Sequence, residues 1–264
     1  MENGILCALK FGWKNMWAKV LSLCDTLSNV TYENLTKIIR YSEAGSADKA
    51  RLADDSFQNN VDHWMGGGTC FSMTWHLFQE LKMMGLSPRL LMGHKRKEKN
   101  IHCALRLPYE GKEYLLDPGY LIFDPLEIPD ALPFGPGFLF FPLIPNCVRV
   151  ERENKHISLL TGSMSAPLKL RFEFDFDGVD EKEFQLHWSE SFGREMMTYP
   201  VLNRLDRVNG IQYYYQKGNL VLRDQNGSRI ERIAEENKVT VLSSLFRLPS
   251  ETVERALGIL NKTF

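Results

Sequence analysis

The 264-residue chain lacks an excess of charge of either sign, and it lacks an apolar run long enough to cross a membrane. Its 32 basic residues balance 33 acidic ones, so the total shows none of the basic excess typical of nucleic-acid-binding proteins, and we expect no nucleic-acid partner. Lys10, Lys14 and Lys19 interrupt the apolar N-terminal segment, which excludes a signal-peptide core there. We therefore expect a cytoplasmic protein without a membrane span.

The chain also lacks the paired cysteine spacing of a disulfide framework or a zinc knuckle. Its cysteines are odd in number and scattered, at Cys7, Cys24, Cys70, Cys103 and Cys147. This usage fits a reducing compartment and gives no support to a metal site. The apolar share of 44% is ordinary for a globular protein, and no internal repeat is visible.

A triple glycine at 66–68 precedes Cys70, and Cys70 begins a run with helical periodicity. Large apolar residues recur at Phe71, Trp75, Phe78 and Leu81, which predicts a helix of about four turns. The unpaired N–H groups and the positive end of a helix macrodipole favour a thiolate over a thiol. A lone cysteine at a helix start is more often a small buried hydrophobe, so a catalytic role for Cys70 requires partners.

Two strands downstream supply those partners. The segments 101–107 and 113–117 form a predicted hairpin around Glu110-Gly111, in which paired residue numbers sum to 221. Side-chain alternation then places His102 and Asp117 on one face as diagonal neighbours, with Cα atoms roughly 7–8 Å apart. A register slip of one residue would put them on opposite faces.

A cysteine at a helix start, a histidine on a strand and an aspartate on the adjacent strand are the groups that activate a thiol. His102 would accept the proton of Cys70, and Asp117 would hold the ring in the correct tautomer, provided that Cys70 meets the face that carries His102. Metal binding is the competing chemistry. We expect no metal, because Cys103 points to the strand face opposite His102.

The rest of the chain predicts an α+β fold with modules near 1–85, 86–190 and 191–264. Helices are predicted at 5–24, 31–41 with Thr31 as its cap, 238–246 and 250–260. Further strands are predicted at 89–92, 148–152, 168–176, 184–188, 211–215, 219–223 and 229–233. The remaining segments are predicted as a loop or loose helix at 42–60, a basic loop at 94–100 that is either a solvated turn or a phosphate contact, and a long connection at 118–145.

Several of these segments resemble the arylamine N-acetyltransferases, over nearly the full length and most specifically around the three candidate residues. The similar segments are GGTCF at 67–71, IHCAL at 101–105, YLLDPGY at 114–120, DPLEI at 124–128 and TYENL at 31–35. The resemblance implies an N-terminal helical bundle that carries the nucleophile, a central β-barrel or sheet region and a C-terminal α/β lid. It maps the catalytic cysteine, histidine and aspartate of the family onto Cys70, His102 and Asp117.

The resemblance further implies a ping-pong acyltransferase without a metal. Acetyl-CoA would acylate Cys70, and an arylamine, a hydrazine or another small amine would then take the acyl group. Gly66 and Ser72 stand where the family has an arginine and a glutamate. Because both halves of that ion pair are absent together, we expect no lone buried charge at the turn.

Pro118 is more like the transglutaminase branch of the same superfamily. The alternatives are therefore a transglutaminase-like hydrolase or amidase with the same triad, an amide synthase that uses another acyl donor, and a binding protein without catalysis.

Overall fold

The computed structural model describes residues 16–51, 56–64, 66–130, 140–143, 146–163 and 167–263. Its helices are α1 16–28, α2 Leu35–Ala44, α3 Ala47–Ala50, α4 Ser56–Trp64, α5 Cys70–Met83, α6 Glu181–Glu190, α7 Lys238–Phe246 and α8 Ser250–Thr263. Single 3-10 turns lie at Pro118–Tyr120, Ser191–Gly193, Glu195–Thr198 and Glu235–Asn237. Within these ranges no helix is long and apolar enough to cross a membrane.

The strands form two sheets. They are β1 Tyr32–Glu33, β2 Arg89–Lys95, β3 Glu98–Tyr109, β4 Lys112–Asp117, β5 Ile122–Ile128, β6 Phe140–Leu143, β7 Asn146–Glu153, β8 His156–Ser163, β9 Lys169–Asp175, β10 Val201–Asp206, β11 Ile211–Gln216, β12 Asn219–Asp224 and β13 Gly227–Arg232. One sheet has the order β5-β4-β3-β2-β9-β8-β7-β6, and the other has the order β1-β10-β11-β12-β13. The fold is thus α+β, as predicted.

The eight-stranded sheet is antiparallel throughout and curls until its two ends approach each other. β5 at one end contacts β6 and β7 at the other, so the sheet is close to a closed barrel. Its interior is an apolar cluster that includes Leu91, Ala104, Leu115, Ile157 and Phe174. The β-barrel or sheet region implied by the resemblance is therefore confirmed.

Helix α5 packs on the outer face of this barrel. One core cluster contains Leu77 of α5 together with Cys103, Leu105 and Leu116 of the barrel strands. Ala104 belongs instead to the cluster in the barrel interior. Strand β3 therefore presents alternate residues to two cores, which fixes its register. The observed pairs from Leu105–Leu116 to Tyr109–Lys112 all sum to 221, which confirms the predicted hairpin.

The five-stranded sheet also has two different faces. Leu202, Tyr215, Leu220 and Leu222 on one face pack in a cluster with residues of α2, α7 and α8. The alternate residues of β10, β11 and β12 on the other face are mostly polar, and this polar face turns towards the open end of the barrel. The space between the polar face and the barrel holds the candidate site.

The segment 184–188 is a helix and not the predicted strand. Phe184 and Trp188 are four residues apart in α6, and both are buried against Phe71 and Trp75 of α5. Asp180 caps the helix by accepting a hydrogen bond from Glu183 N at 2.8 Å. A spacing of four with an aspartate cap is a helix signal, and the short apolar run obscured it.

Three other predicted segments also differ from the observed elements. The second predicted helix begins at Leu35 and not at Thr31, because Thr31 bridges to Gly66 and Tyr32 enters strand β1. The basic loop predicted at 94–100 is mostly strand, with Arg96 and Lys97 as its turn and Arg96 at φ 55°. The connection at 118–145 contains strands β5 and β6, and residues 131–139 and 144–145 lie outside the described ranges.

Several elements match their predictions, namely α5, α7, α8, β9, β11, β12 and β13. The helix predicted at 5–24 is described from residue 16 and runs to residue 28, while residues 5–15 lie outside the described ranges. Strands β8 and β10 were not predicted. The division into three modules stays a prediction.

Candidate active site

Cys70 is the first residue of α5 and is nearly buried, with 6% of its surface exposed. The preceding turn uses the conformational freedom of glycine, because Gly68 has a φ of 67° and Thr69 returns the chain to an extended conformation. The thiol therefore sits where the first N–H groups of a four-turn helix converge, as the sequence predicted.

Glu33 braces this turn from below. Its carboxylate is fully buried and accepts hydrogen bonds from Gly68 N at 3.0 Å and Thr36 N at 2.7 Å, while Glu33 N donates to Gly68 O at 2.9 Å. A Cβ at Gly66 would lie 2.7 Å from Glu33 Oε1, so the brace leaves no room for a side chain there. Burial raises the pKa of Glu33, and the hydrogen bonds that its carboxylate accepts from Thr36, Gly68 and Leu35 oppose that rise.

His102 and Asp117 meet as the hairpin register predicted. His102 Nε2 lies 2.8 Å from both carboxylate oxygens of Asp117, and Asp117 is fully buried. Asp117 Oδ1 also accepts a hydrogen bond from Tyr120 N at 2.9 Å, across the 3-10 turn that begins at Pro118. Hydrogen bonds from His102 on one side and from Tyr120 N on the other thus fix the carboxylate.

Cys70 completes the cluster. A hydrogen bond links its side chain to His102, and because Nε2 is engaged by Asp117, the ring nitrogen that faces sulfur is Nδ1. Gly119 lies between them, and a Cβ there would overlap Cys70 Cβ and lie 3.2 Å from His102 Cε1. The structure therefore brings together all three residues selected from the sequence, in the order Cys70, His102, Asp117.

The electrostatics of the cluster favour a charged pair. Burial alone would lower the pKa of His102, but the Asp117 carboxylate and the Cys70 sulfur raise it to about 10. The pKa of Cys70 lies well below its ordinary value because a hydrogen bond with Cys103 and the contact with His102 outweigh burial. Both shifts favour a thiolate beside an imidazolium at neutral pH.

Cys103 has a larger part in this arrangement than the sequence indicated. It lies on the strand face opposite His102, as expected, within the core cluster beneath α5. The N-terminus of α5 packs on that face, so the Cys103 side chain reaches Cys70 and hydrogen-bonds to it. Burial raises the pKa of Cys103, so it stays a neutral thiol that can donate to the Cys70 thiolate.

Aromatic side chains fix the imidazole. The Phe172 ring stacks on His102 with centroids 4.1 Å apart, and Tyr120 meets the same ring edge-on at 6.4 Å. Phe172 comes from β9 and Tyr120 from the turn after β4. Two elements remote in sequence therefore restrict the ring orientation that Asp117 selects.

A cavity of about 580 Å³ opens at Cys70 between the barrel and the polar face of the five-stranded sheet. Cys70, His102, Gly119 and Tyr120 line its inner end. Its other lining residues come from β2, β3, β7, β8 and β9 on one side and from β1, β10, β11, β12 and the 3-10 turn Glu195–Thr198 on the other. A volume of this size suits a small-molecule substrate.

Metal-ligating residues do not gather at this or any other place in the described ranges. No group of three or more His, Cys, Asp or Glu side chains there is arranged to hold a metal ion.

No sequence-family model and no curated protein sequence matches the chain. Solved structures do. The Mycobacterium marinum arylamine N-acetyltransferase, solved in complex with CoA, superposes with a TM-score of 0.69 at 15% identity over 91% of each chain. The chain has the arylamine N-acetyltransferase fold. The enzyme from M. tuberculosis gives a TM-score of 0.67 at 16% identity over 89% of this chain and 88% of its own. The Salmonella typhimurium enzyme gives 0.66 at 14% over 87% and 86%.

The turn before Cys70 contacts one buried carboxyl group, that of Glu33, and it forms no ion pair within 4.0 Å in the part of the chain that the structure describes. Because burial raises the pKa of Glu33, the expectation that this turn has no lone buried charge stays a prediction. Ser72 Oγ donates to Gly67 O at 2.8 Å. Hydrogen bonds to the backbone thus hold this turn.

Lys37 is a second buried charge near the turn. Its ammonium donates to Ser191 Oγ at 2.6 Å and lies 4.3 Å from the centre of the Phe192 ring. Burial lowers its pKa to about 8, although the nearby Cys70 and Cys103 sulfurs raise it. Sequence analysis missed Lys37, because a lysine four residues after Glu33 on an amphipathic helix resembles an ordinary surface pair.

Proposed function

We propose that this chain is an acyltransferase that moves an acetyl group from acetyl-CoA to a small amine through a thioester at Cys70. The observation that carries the proposal is the hydrogen-bonded line Cys70–His102–Asp117 at the inner end of a cavity, in a fold that known arylamine N-acetyltransferases share. The structurally similar enzyme from Mycobacterium marinum was solved in complex with CoA, which supports a CoA thioester as the acyl donor here.

In the first half-reaction the Cys70 thiolate attacks the thioester carbonyl of acetyl-CoA. The tetrahedral intermediate collapses, the carbon–sulfur bond to CoA breaks, and His102 gives its Nδ1 proton to the departing CoA thiolate. Acetyl-Cys70 and neutral His102 remain. Asp117 accepts the hydrogen bond from Nε2–H, so that Nδ1 is the nitrogen that exchanges the proton.

In the second half-reaction the amine attacks the carbonyl of acetyl-Cys70. Neutral His102 accepts a proton from the amine nitrogen, the bond from carbon to Cys70 sulfur breaks, and the amide leaves. The cluster then returns to thiolate and imidazolium. One cavity must therefore hold the CoA thioester first and the amine second, which is the ping-pong order.

Intact-mass spectrometry tests both halves. Acetyl-CoA should add about 42 Da to the wild-type protein and nothing to Cys70→Ala, and an amine should then restore the original mass with formation of its acetamide. Cleavage of a peptide or amide substrate without an acyl adduct from acetyl-CoA would instead assign the triad to a hydrolase of the transglutaminase type. The absence of both reactions would contradict catalysis at Cys70.

A further inference from the structure

The cavity at Cys70 carries an unbalanced positive charge. Its lining contains Lys95, Arg171 and Arg223, and the described residues that line it include no aspartate or glutamate. Across the part of the chain that the structure describes, none of these three cations forms an ion pair within 4.0 Å. Arginines that face a cleft without a carboxylate partner leave their charge for a ligand.

Arg171 is directed into the cavity by an irregularity in β9. Leu159 pairs with Phe172, but the next residue, Leu160, pairs with Leu170, so Arg171 is an extra residue in a β-bulge. A bulge breaks the alternation of side chains and re-aims one of them, which explains why the neighbours Arg171 and Phe172 both line the cavity. Arg171 Nε donates to Thr161 Oγ1 at 2.5 Å, so the terminal nitrogens of its guanidinium remain for another acceptor.

Arg223 lines the same cavity from the five-stranded sheet, whereas Arg171 lines it from the barrel. It lies on the polar face of the five-stranded sheet, where its Nη1 donates to Gln212 Oε1 at 3.1 Å. Gln212 is itself held by Asn203, because its Nε2 donates to Asn203 Oδ1 at 2.8 Å. A neutral amide orients this guanidinium and does not neutralise it, so its position is fixed while its charge is retained.

Both arginines are connected to the reactive end of the cavity. Phe172, next to Arg171, stacks on His102, and Thr161, the partner of Arg171, lies 3.5 Å from the Tyr120 hydroxyl. On the other wall the Arg223 guanidinium lies 5.8 Å from the centre of the Tyr214 ring. Both arginines, Tyr214 and Cys70 line the same cavity.

We propose that the acceptor amine carries an anionic group, a carboxylate or a phosphate, which Arg171 and Arg223 bind while the amine reaches acetyl-Cys70. This inference rests on the proposed function and names its substrate class. The acetyl group is uncharged, and CoA has left before the acceptor arrives, so the acceptor is the reactant that can use both cations at the transfer step. The anionic group takes no part in bond making.

Paired acceptors test the inference. Acetyl-Cys70 protein is prepared and checked by mass, and its deacetylation is timed with 4-aminobenzoate and with the neutral 4-aminobenzamide. We expect the carboxylate to react at least about tenfold faster per mole, and Arg171→Met and Arg223→Met each to remove most of that preference, since each removes a charge-assisted hydrogen bond to the anionic group. Arg229→Met removes an exposed arginine of β13 outside the cavity lining and should keep the preference.

Other outcomes overturn the inference. Equal rates for the two acceptors in the wild type would contradict it, and so would a loss that is the same for both acceptors in the variants. If the variants slow acetylation by acetyl-CoA and leave the acceptor preference intact, the arginines bind the phosphates of CoA. Arg171→Gln and Arg223→Gln, which also remove the positive charge, replace any methionine variant that fails to fold.

A binding measurement separates this inference from the proposed function. Calorimetry with Cys70→Ala should show binding of 4-aminobenzoate that Arg223→Met in the same background abolishes, with weaker binding of the amide, even if no acetyl transfer occurs. Binding of both ligands with equal affinity would refute the anion site.

Discussion

His102 Nε2 lies 2.8 Å from both carboxylate oxygens of Asp117, and this contact decides which ring nitrogen faces Cys70. Asp117 is fully buried and is fixed on its other side by Tyr120 N. The carboxylate therefore acts through the tautomer of the imidazole. The following predictions depend on this contact and on the groups that surround the thiol.

Asp117→Asn should keep the fold and abolish most turnover. The asparagine Oδ1 can still accept from Tyr120 N, but its amide would donate to His102 Nε2 and so move the ring proton to Nδ1, where it faces sulfur. We expect acetylation of Cys70 to slow roughly a thousandfold or more, as in other triads that lose the aspartate charge. The rate is measured by mass after mixing with acetyl-CoA. Asp177→Asn, on the surface, is the control, and a near-normal rate in Asp117→Asn would contradict the assignment.

Cys103 should stabilise the Cys70 thiolate and so lower the pKa of the Cys70 thiol. Its side chain hydrogen-bonds to Cys70, and this hydrogen bond lowers the pKa of Cys70. Cys103→Ala removes the donor, whereas Cys103→Ser keeps one of similar size. We expect the alanine variant to alkylate at Cys70 about fivefold more slowly at mildly acidic pH, the equivalent of about 1 kcal/mol, and the serine variant to stay near wild type. Equal rates for the two variants would show that the contact is only steric.

Gly119→Ala should displace Cys70 from the turn that carries Gly119. A Cβ at Gly119 would lie 2.8 Å from Cys70 Cα and would overlap Cys70 Cβ, and backbone on either side would have to move. We expect the acetylation rate to fall by at least about a hundredfold, because a displacement near 1 Å is costly to a reacting pair. Gly193→Ala, which would meet nothing within 4 Å, serves as the control. Normal kinetics in Gly119→Ala would mean that the turn is not in close contact with the nucleophile.

Glu33→Gln should weaken the brace below the turn. Both carboxylate oxygens of Glu33 accept from backbone N–H groups, Gly68 N and Thr36 N, so the amide of glutamine would place one donor against another. We expect the free energy of unfolding to fall by about 1–3 kcal/mol, the usual cost of an unpaired buried polar group. Urea unfolding measures this change, with the exposed Glu236→Gln as the reference. An unchanged midpoint would indicate that Glu33 contributes nothing to the turn.

Local pattern was sufficient to select three residues of the candidate site, Cys70, His102 and Asp117. The α5 helix followed from the spacing of its apolar residues, and the contact of His102 with Asp117 followed from one hairpin whose turn residues, Glu110 and Gly111, both adopt positive φ. Side-chain alternation in an antiparallel pair is a rigid rule, so a correct register fixes which residues share a face.

Long-range packing determined what the sequence did not reveal. Thr31 looked like a helix cap, yet its hydroxyl donates to Phe246 O at 2.6 Å, 215 residues away. Arg171 lines the cavity because of a β-bulge. The uninterrupted alternation of residues 168–176 gives no sign of that bulge. Cys103 and Lys37 acquired their roles because α5 and α2 bring them close to Cys70, and no local periodicity reports such an approach.

The central claim is that Cys70 is a thiolate paired with protonated His102 at neutral pH. The direct measurement is the ultraviolet absorbance of the thiolate against pH, taken as wild type minus Cys70→Ala. Because the pKa of Cys70 is lowered and that of His102 is raised to about 10, the thiolate signal should already be present at pH 7, disappear only on acidification, and stay level until the imidazolium deprotonates near pH 10. A single step near the ordinary thiol value of 9.0 would contradict the account.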